Sequence, residues 1–178
     1  ARWAILGGTD IVIELPTIYS LGSAQLFASG AIQLIKSLSI DMLSFGSETT
    51  DLNQFIHMAK RMDCESTQNE LRNYLNEGMS YGTAFRKALG SESLSTPNAL
   101  LGLEYIRAAL KYYPNLEYIP IQRTSDHHNH NFDQELPSGT ALRQLITTAN
   151  SLDMCSTLQS TIPAPILDDM TRSEEHTS

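Results

Sequence analysis

Cysteine, positive charge and long apolar runs are all scarce in this sequence, and each scarcity counts against a class of protein. Cys64 and Cys155 are the only two cysteines among 178 residues. They form no CxxC and lie near no pair of histidines, which counts against a structural zinc site and against a disulfide-rich secreted scaffold. No visible partner activates either thiol, so core packing is the plainer role for both. No apolar run approaches the roughly 18 residues of a membrane-spanning helix. No charged segment precedes a short apolar one at the start, so a signal peptide is not expected there. Lys and Arg number 12 against 20 Asp and Glu, a net charge of −8. Such acidity counts against non-specific binding to nucleic acid or membrane surfaces, and leaves room for a local basic site. Neither an internal repeat nor a low-complexity linker is present. What remains is a chain with 41 % apolar and 18 % charged residues, which can bury a core and is neither disordered nor fibrous. Its length suits one domain or a piece of a larger one.

Both ends carry their own expectation. Arg2-Trp3-Ala4-Ile5-Leu6 reads as the last turns of a helix closed by Gly7-Gly8, so the natural sequence is expected to begin upstream of Ala1. Residues 172–178, Arg172 to Ser178, read like a translated sequencing adapter. Native sequence is expected to stop near Thr171, and the last seven residues are set aside from fold reasoning.

Between the ends, strand and helix patterns alternate. Asp10-Ile11-Val12-Ile13-Glu14-Leu15-Pro16 is a β-branched apolar run stopped by proline and reads as a buried parallel strand. From Ser23 to Leu38, the residues Ala24, Phe27, Ala31, Leu34, Ile35 and Leu38 recur at helical spacing and mark an apolar helix face. Asp41 to Phe45 reads as a second strand ending at Gly46, which completes a βαβ unit with a right-handed crossover. Polar-faced helices are expected over Asp51–Met62 and Thr67–Asn76, the second closed by Gly78. Ser95-Thr96-Pro97-Asn98 places a hydroxyl cap before proline at a first helical position, and that helix should run to about Tyr113. Leu116 to Ile121 reads as a third strand, with Pro120 suiting an edge or a strand end. A polar loop over Thr124–Pro137 precedes a helix over roughly Thr140–Asn150. The fold class is α/β with a mostly parallel sheet.

Ligands of open α/β sheets bind beyond the carboxyl ends of the strands, and three features fall there. Gly46, within Ser44-Phe45-Gly46-Ser47-Glu48, permits close backbone approach, or marks a tight turn that needs a positive φ. Thr96-Pro97-Asn98 offers helix-terminal N–H groups to an anion or carbonyl, or is a simple cap. Arg123, at a strand end, is followed by Ser138-Gly139-Thr140-Ala141-Leu142-Arg143, whose hydroxyls and Arg143 suit phosphate, or a capped helix with a solvated arginine. His127, His128 and His130 lie in the polar loop without a standard ligand spacing, so the better reading is a solvated loop and no metal site is assigned.

Read in order, these segments resemble the bacterial tRNA(Met) cytidine acetate ligase family. The matching blocks are Gly8 to Pro16, Ser23 to Ala28, Ser44 to Glu48, Thr96-Pro97-Asn98 with Leu101 to Tyr105, Pro120 to Arg123, and Ser138 to Arg143. The resemblance implies a Rossmann-like nucleotidyltransferase core in a cytoplasmic enzyme. Such an enzyme binds ATP, with Mg²⁺, and activates acetate as acetyl-adenylate. It then passes the acetyl group to N4 of the wobble cytidine of elongator tRNA(Met). By the same resemblance Gly46, Asn98 and Arg123 occupy ATP-binding positions. Ser138, Thr140 and Arg143 match a phosphate-side motif. Residues 1–150 would form a partial nucleotidyltransferase-like domain, and residues 151–171 would begin a helical region. The family's His-x-Gly-His strand would lie upstream of Ala1, so no catalytic residue is assigned and the chain alone is not expected to catalyse. The family's carboxy-terminal part, which would add tRNA contacts, is also expected to lie outside this sequence. Gly139 replaces a usual alanine, and Gly82 a proline common after Tyr81. Two rivals stand beside this expectation. A different Rossmann-type adenylyltransferase would show no tRNA dependence, and a non-catalytic nucleotide-binding module would turn nothing over.

Overall fold

The computed structural model describes residues 1–90, 96–123, 139, 142–144, 158 and 160–175. They form two compact units, one of residues 15–123 and one of residues 1–14 with 124–178.

The larger unit holds most of the regular structure. Its elements are α2 (Thr17–Ser20), α3 (Ala24–Ser37), β1 (Met42–Ser47), α4 (Leu52–Met62), α5 (Glu65–Asn76), α6 (Tyr81–Leu89), α7 (Pro97–Tyr112) and β2 (Glu117–Gln122). Local chemistry sets most of the helix starts. Ser23 accepts from the Leu26 N–H, Asp51 from Gln54, Ser80 from Thr83 and Thr96 from Ala99, each satisfying a donor that the helix cannot. Gly90 ends α6 in the left-handed conformation, where glycine carries no Cβ penalty. Helix α6 has no counterpart in the sequence reading, although the Ser80 cap and Gly90 are both signals for it.

Strands β1 and β2 pair in parallel from Met42 beside Glu117 to Ser47 beside Gln122. A parallel pair needs a long crossover, and α4 to α7 supply it. Leu43, Phe45, Tyr118 and Pro120 are half-buried on one face of this sheet, while Met42, Ser44, Gly46, Ile119 and Ile121 are exposed on the other, as strand alternation requires. Two apolar clusters lie on the inner side. Phe55, Met62, Leu103 and Ile106 anchor the first, with Phe45 packed against it, while Ile32, Ala109 and Leu116 anchor the second, with Leu43 packed against it. The Tyr118 ring touches both clusters.

Four expectations need correction. Cys64, read as a core-packing thiol, is exposed. The expected strand over Asp10–Pro16 does not form. Ile11 is 71 % exposed, and among the described residues the sheet contains only β1 and β2. A strand exists only through the ladder it joins, and this run joins none among the described residues. The expected βαβ unit over residues 10–45 therefore lacks its first strand. The buried face of α3 is centred on Ala28 and Ile32, with Ala24 and Leu38 exposed, so the apolar stripe is rotated from the one read by spacing. Finally, β1 runs through Gly46 to Ser47, and Gly46 has no positive φ, so no tight turn lies there.

In the smaller unit, α1 (Arg2–Leu6) is closed at Gly7 and Gly8 as expected. It contacts α8 (Ala164–Glu175). Asp169 accepts from the Trp3 indole Nε1 at 2.9 Å and pairs with Arg2. Leu158 and Leu167 form a small buried cluster with Leu142 and Ile162 packed on it.

Candidate functional site

The carboxyl ends of β1 and β2 meet the first turn of α7, and Glu48 joins them. Its carboxylate accepts from Asn98 Nδ2 at 2.9 Å through Oε1, and from the Thr96 hydroxyl through Oε2. Its backbone carbonyl accepts from Gln122 Nε2 at 2.8 Å. The Arg123 N–H donates to the Ser47 carbonyl at 2.8 Å, so pairing extends one residue beyond β2. Ser47 itself is fully buried and its hydroxyl faces the Thr49 N–H at 3.4 Å.

The anion expected at the α7 N-terminus is thus supplied by the protein. A carboxylate there is favoured by the orphan N–H groups and the helix dipole. Partial burial works to raise the Glu48 carboxyl. Hydrogen bonds from Thr96, Asn98 and its own backbone, with the Arg123 charge, outweigh burial and hold it below its ordinary value. Thr96 serves twice, accepting from Ala99 as a cap and donating to Glu48.

Gly46 and Arg123 lie side by side. A Cβ on Gly46 would sit 3.5 Å from Arg123 Cγ and 3.7 Å from Nη1. The bare strand therefore leaves a shallow strip along the arginine stem. Arg123 Nε is buried and has no hydrogen-bond partner among the described residues; Tyr118 Oη is in the same state. A buried donor without a partner is costly, so Arg123 is primed for an acceptor. Gly46, Asn98 and Arg123 lie close together, with Glu48 and Thr96 between them. Spacing alone could not assign Glu48 its role, because its partners lie 48 and 50 residues away. Its signal was an acidic residue directly after a strand, facing a helix start.

The remaining expectations divide. Arg143 is described and exposed on a helical turn with Leu142 and Gln144, and a Cβ on Gly139 would stand 3.7 Å from its Nη1. Ser138, Thr140, His127, His128 and His130 lie outside the described residues. Among the described residues no three His, Cys, Asp or Glu side chains converge on a possible metal site, and no helix is long and apolar enough to cross a membrane.

Comparison with known proteins gives this geometry a family context. The family model described as HIGH Nucleotidyl Transferase matches residues 1–178. The tRNA(Met) cytidine acetate ligase of Fusobacterium nucleatum is 37 % identical over 147 residues, covering 83 % of this chain and 37 % of the relative. The ligase of the same name from Clostridium tetani is 33 % identical over 184 residues, covering 94 % of this chain and 45 % of the relative. The crystal structure of apo Thermotoga maritima TmcAL superposes with a TM-score of 0.83 at 25 % identity, covering 99 % of this chain and 44 % of that one. The same protein bound with alpha-thio ATP gives a TM-score of 0.79. The chain spans less than half the length of these relatives.

Proposed function

The chain belongs to the HIGH nucleotidyl transferase family, and from that premise we propose that it is the nucleotide-side part of a tRNA(Met) cytidine acetate ligase. In this reading an acetate oxygen attacks the α-phosphorus of ATP and pyrophosphate leaves. N4 of the wobble cytidine of elongator tRNA(Met) then takes the acetyl group and AMP leaves. The enzyme works in the cytoplasm and binds its tRNA there. Positioning and charge stabilisation carry such a reaction without a covalent enzyme intermediate.

The observation that carries the reading is the juncture of two parallel strand ends, where Glu48 holds Asn98 and the Ser47 carbonyl holds the Arg123 N–H beside the bare Gly46 strip. Nucleotides bind at such ends in open α/β sheets. Arg123, with its buried unpartnered Nε, would take phosphate or ribose oxygens, and Asn98 would orient the nucleotide against the edge that Gly46 leaves open. Ser138, Thr140 and Arg143 would grip the phosphates. With no converging metal ligands among the described residues, Mg²⁺ would arrive on the ATP phosphates, in keeping with its habit of binding through phosphates and few carboxylates. The supporting relatives are those named tRNA(Met) cytidine acetate ligase.

A thermal melt with and without millimolar ATP tests the reading. A ligand that binds only the folded state raises the midpoint. The expected result is a rise with ATP that Arg123→Ala removes. An unchanged midpoint in the parent chain would overturn ATP binding by this chain.

A further inference from the structure

A cleft of about 270 Å³ opens between the start of α3, α6 and α7, lined by Ser23, Gln25, Tyr81, Phe85, Leu100 and Glu104 among others. It is a different face of α7 from the one that meets Glu48. Six residues, roughly 9 Å of helix rise, separate Asn98 from Glu104. Apolar cavities of about 150 Å³ hold a benzene ring, so this one has room for a single heterocycle.

Its chemistry is specific. The Tyr81 and Phe85 rings stack with centroids 5.6 Å apart, and Tyr81 is 52 % exposed, giving a flat aromatic wall open to solvent. Glu104 is only 6 % exposed. One of its oxygens, Oε2, meets Arg107 Nη1 at 3.4 Å, and Oε1 takes no hydrogen bond among the described residues. Arg107 is mainly engaged elsewhere, donating to Asp63 Oδ1 at 2.6 Å and 2.9 Å. Two carboxylates thus share one guanidinium, so Arg107 only partly offsets the Glu104 charge. Burial pushes the Glu104 carboxyl above its ordinary value despite Arg107, so a donor brought to it would offset that burial. Gly82 leaves the rim open, since a Cβ there would meet nothing within 4 Å.

We propose that this cleft binds an amino-bearing nucleobase, stacked on Tyr81 with its exocyclic amine donating to Glu104. Cytosine and adenine share that chemistry, as a free nucleotide or within a strand. The choice of a base as ligand rests on the nucleotidyltransferase reading, while the site rests on the cleft.

The test is titration of the isotope-labelled chain with cytidine, adenosine and uridine at millimolar concentration, following the amide signals of Ala24, Gln25 and Gly82. The expected result is a saturable shift with cytidine or adenosine, the responsive one naming the source, and a much weaker one with uridine, which lacks the amine. Tyr81→Ala should weaken binding on the order of tenfold, the usual effect of removing a base-stacking ring, and Glu104→Gln should reduce the preference over uridine. Tyr81 opens α6 at the surface, so its variant is a safeguard should Glu104→Gln unfold the chain. No shift in a chain that melts cooperatively would overturn the proposal. So would equal binding of uridine, or a response insensitive to both variants and competed by ATP. Arg123→Ala separates the two readings, because it should abolish the ATP-dependent melt shift and leave the nucleoside response intact.

Discussion

Two glutamates, 48 and 104, show opposite titration behaviour for reasons visible in their partners. Glu48 is held ionised by donors and by Arg123, and its carboxyl lies below the ordinary 4.5. A depressed pKa means stability that is present above the unfolded value and lost as pH falls through the folded one. Glu104 is pushed above 4.5 by burial, so its contribution is greatest below the unfolded value and declines as pH rises through the folded one. Glu48→Gln keeps one acceptor but turns an amide towards Thr96 or Asn98. It should cost about 1.5–3 kcal/mol at neutral pH, the usual net worth of a hydrogen bond to a charged group. Denaturant titrations across pH would check this. The cost should shrink towards zero once Glu48 itself is protonated, and a constant cost at all pH values would assign the loss to packing. None of this was legible from residue spacing. The resemblance to a ligase family marked Gly46, Asn98 and Arg123, but the carboxylate that holds Asn98 acts across a fold-dependent contact.

Helix ends in this chain are written locally, and strand pairing is not. Asp51, Thr96 and the glycines after α1 and α5 lie where their own few neighbours require them, which is why most helices could be read directly. The run Asp10–Pro16 has the composition of a strand, yet composition cannot provide a neighbouring ladder. The α3 stripe fails for a related reason, because the face that is buried depends on where Tyr19 and α7 lie. A Cβ on Gly30 would reach within 2.3 Å of the Tyr19 ring. Gly102 does the same for α7 and β1. A Cβ there would stand 2.4 Å from Phe45, whose ring is itself held edge-on against Phe55. Gly102→Ala gains helix propensity of up to about 1 kcal/mol but overpacks the seam at a cost of about 1–3 kcal/mol. The expected outcome is a lower melting midpoint, and an unchanged or higher one would mean that Phe45 can swing aside. Thr96→Ala should lower stability by about 1 kcal/mol through the lost cap. It should also weaken the ATP-dependent midpoint rise, which separates it from a cap remote from the site.

Charge acts at the scale of the whole chain. With 12 basic and 20 acidic residues, the molecule repels a polyanion at long range, and only a cluster of cations could reverse that locally. Affinity for RNA rises with each phosphate neutralised and falls steeply with salt. Arg123 is one of the few cations at the site, and in the proposed reaction it is committed to ATP. The chain should therefore bind tRNA weakly, even though its relatives are named for a tRNA substrate. Those relatives are more than twice as long as the region they share with it, and the proposed reading leaves the RNA grip to the part beyond that region. Gel retardation of elongator tRNA(Met) by the chain at about 150 mM salt should show no complex at micromolar protein, where ordinary non-specific binders reach dissociation constants of roughly 10⁻⁴–10⁻⁶ M. Lowering the salt should add little, since few counterions are released. A complex that tightens steeply as salt falls would instead reveal a basic surface hidden within the acidic total, and would move RNA recognition onto this chain.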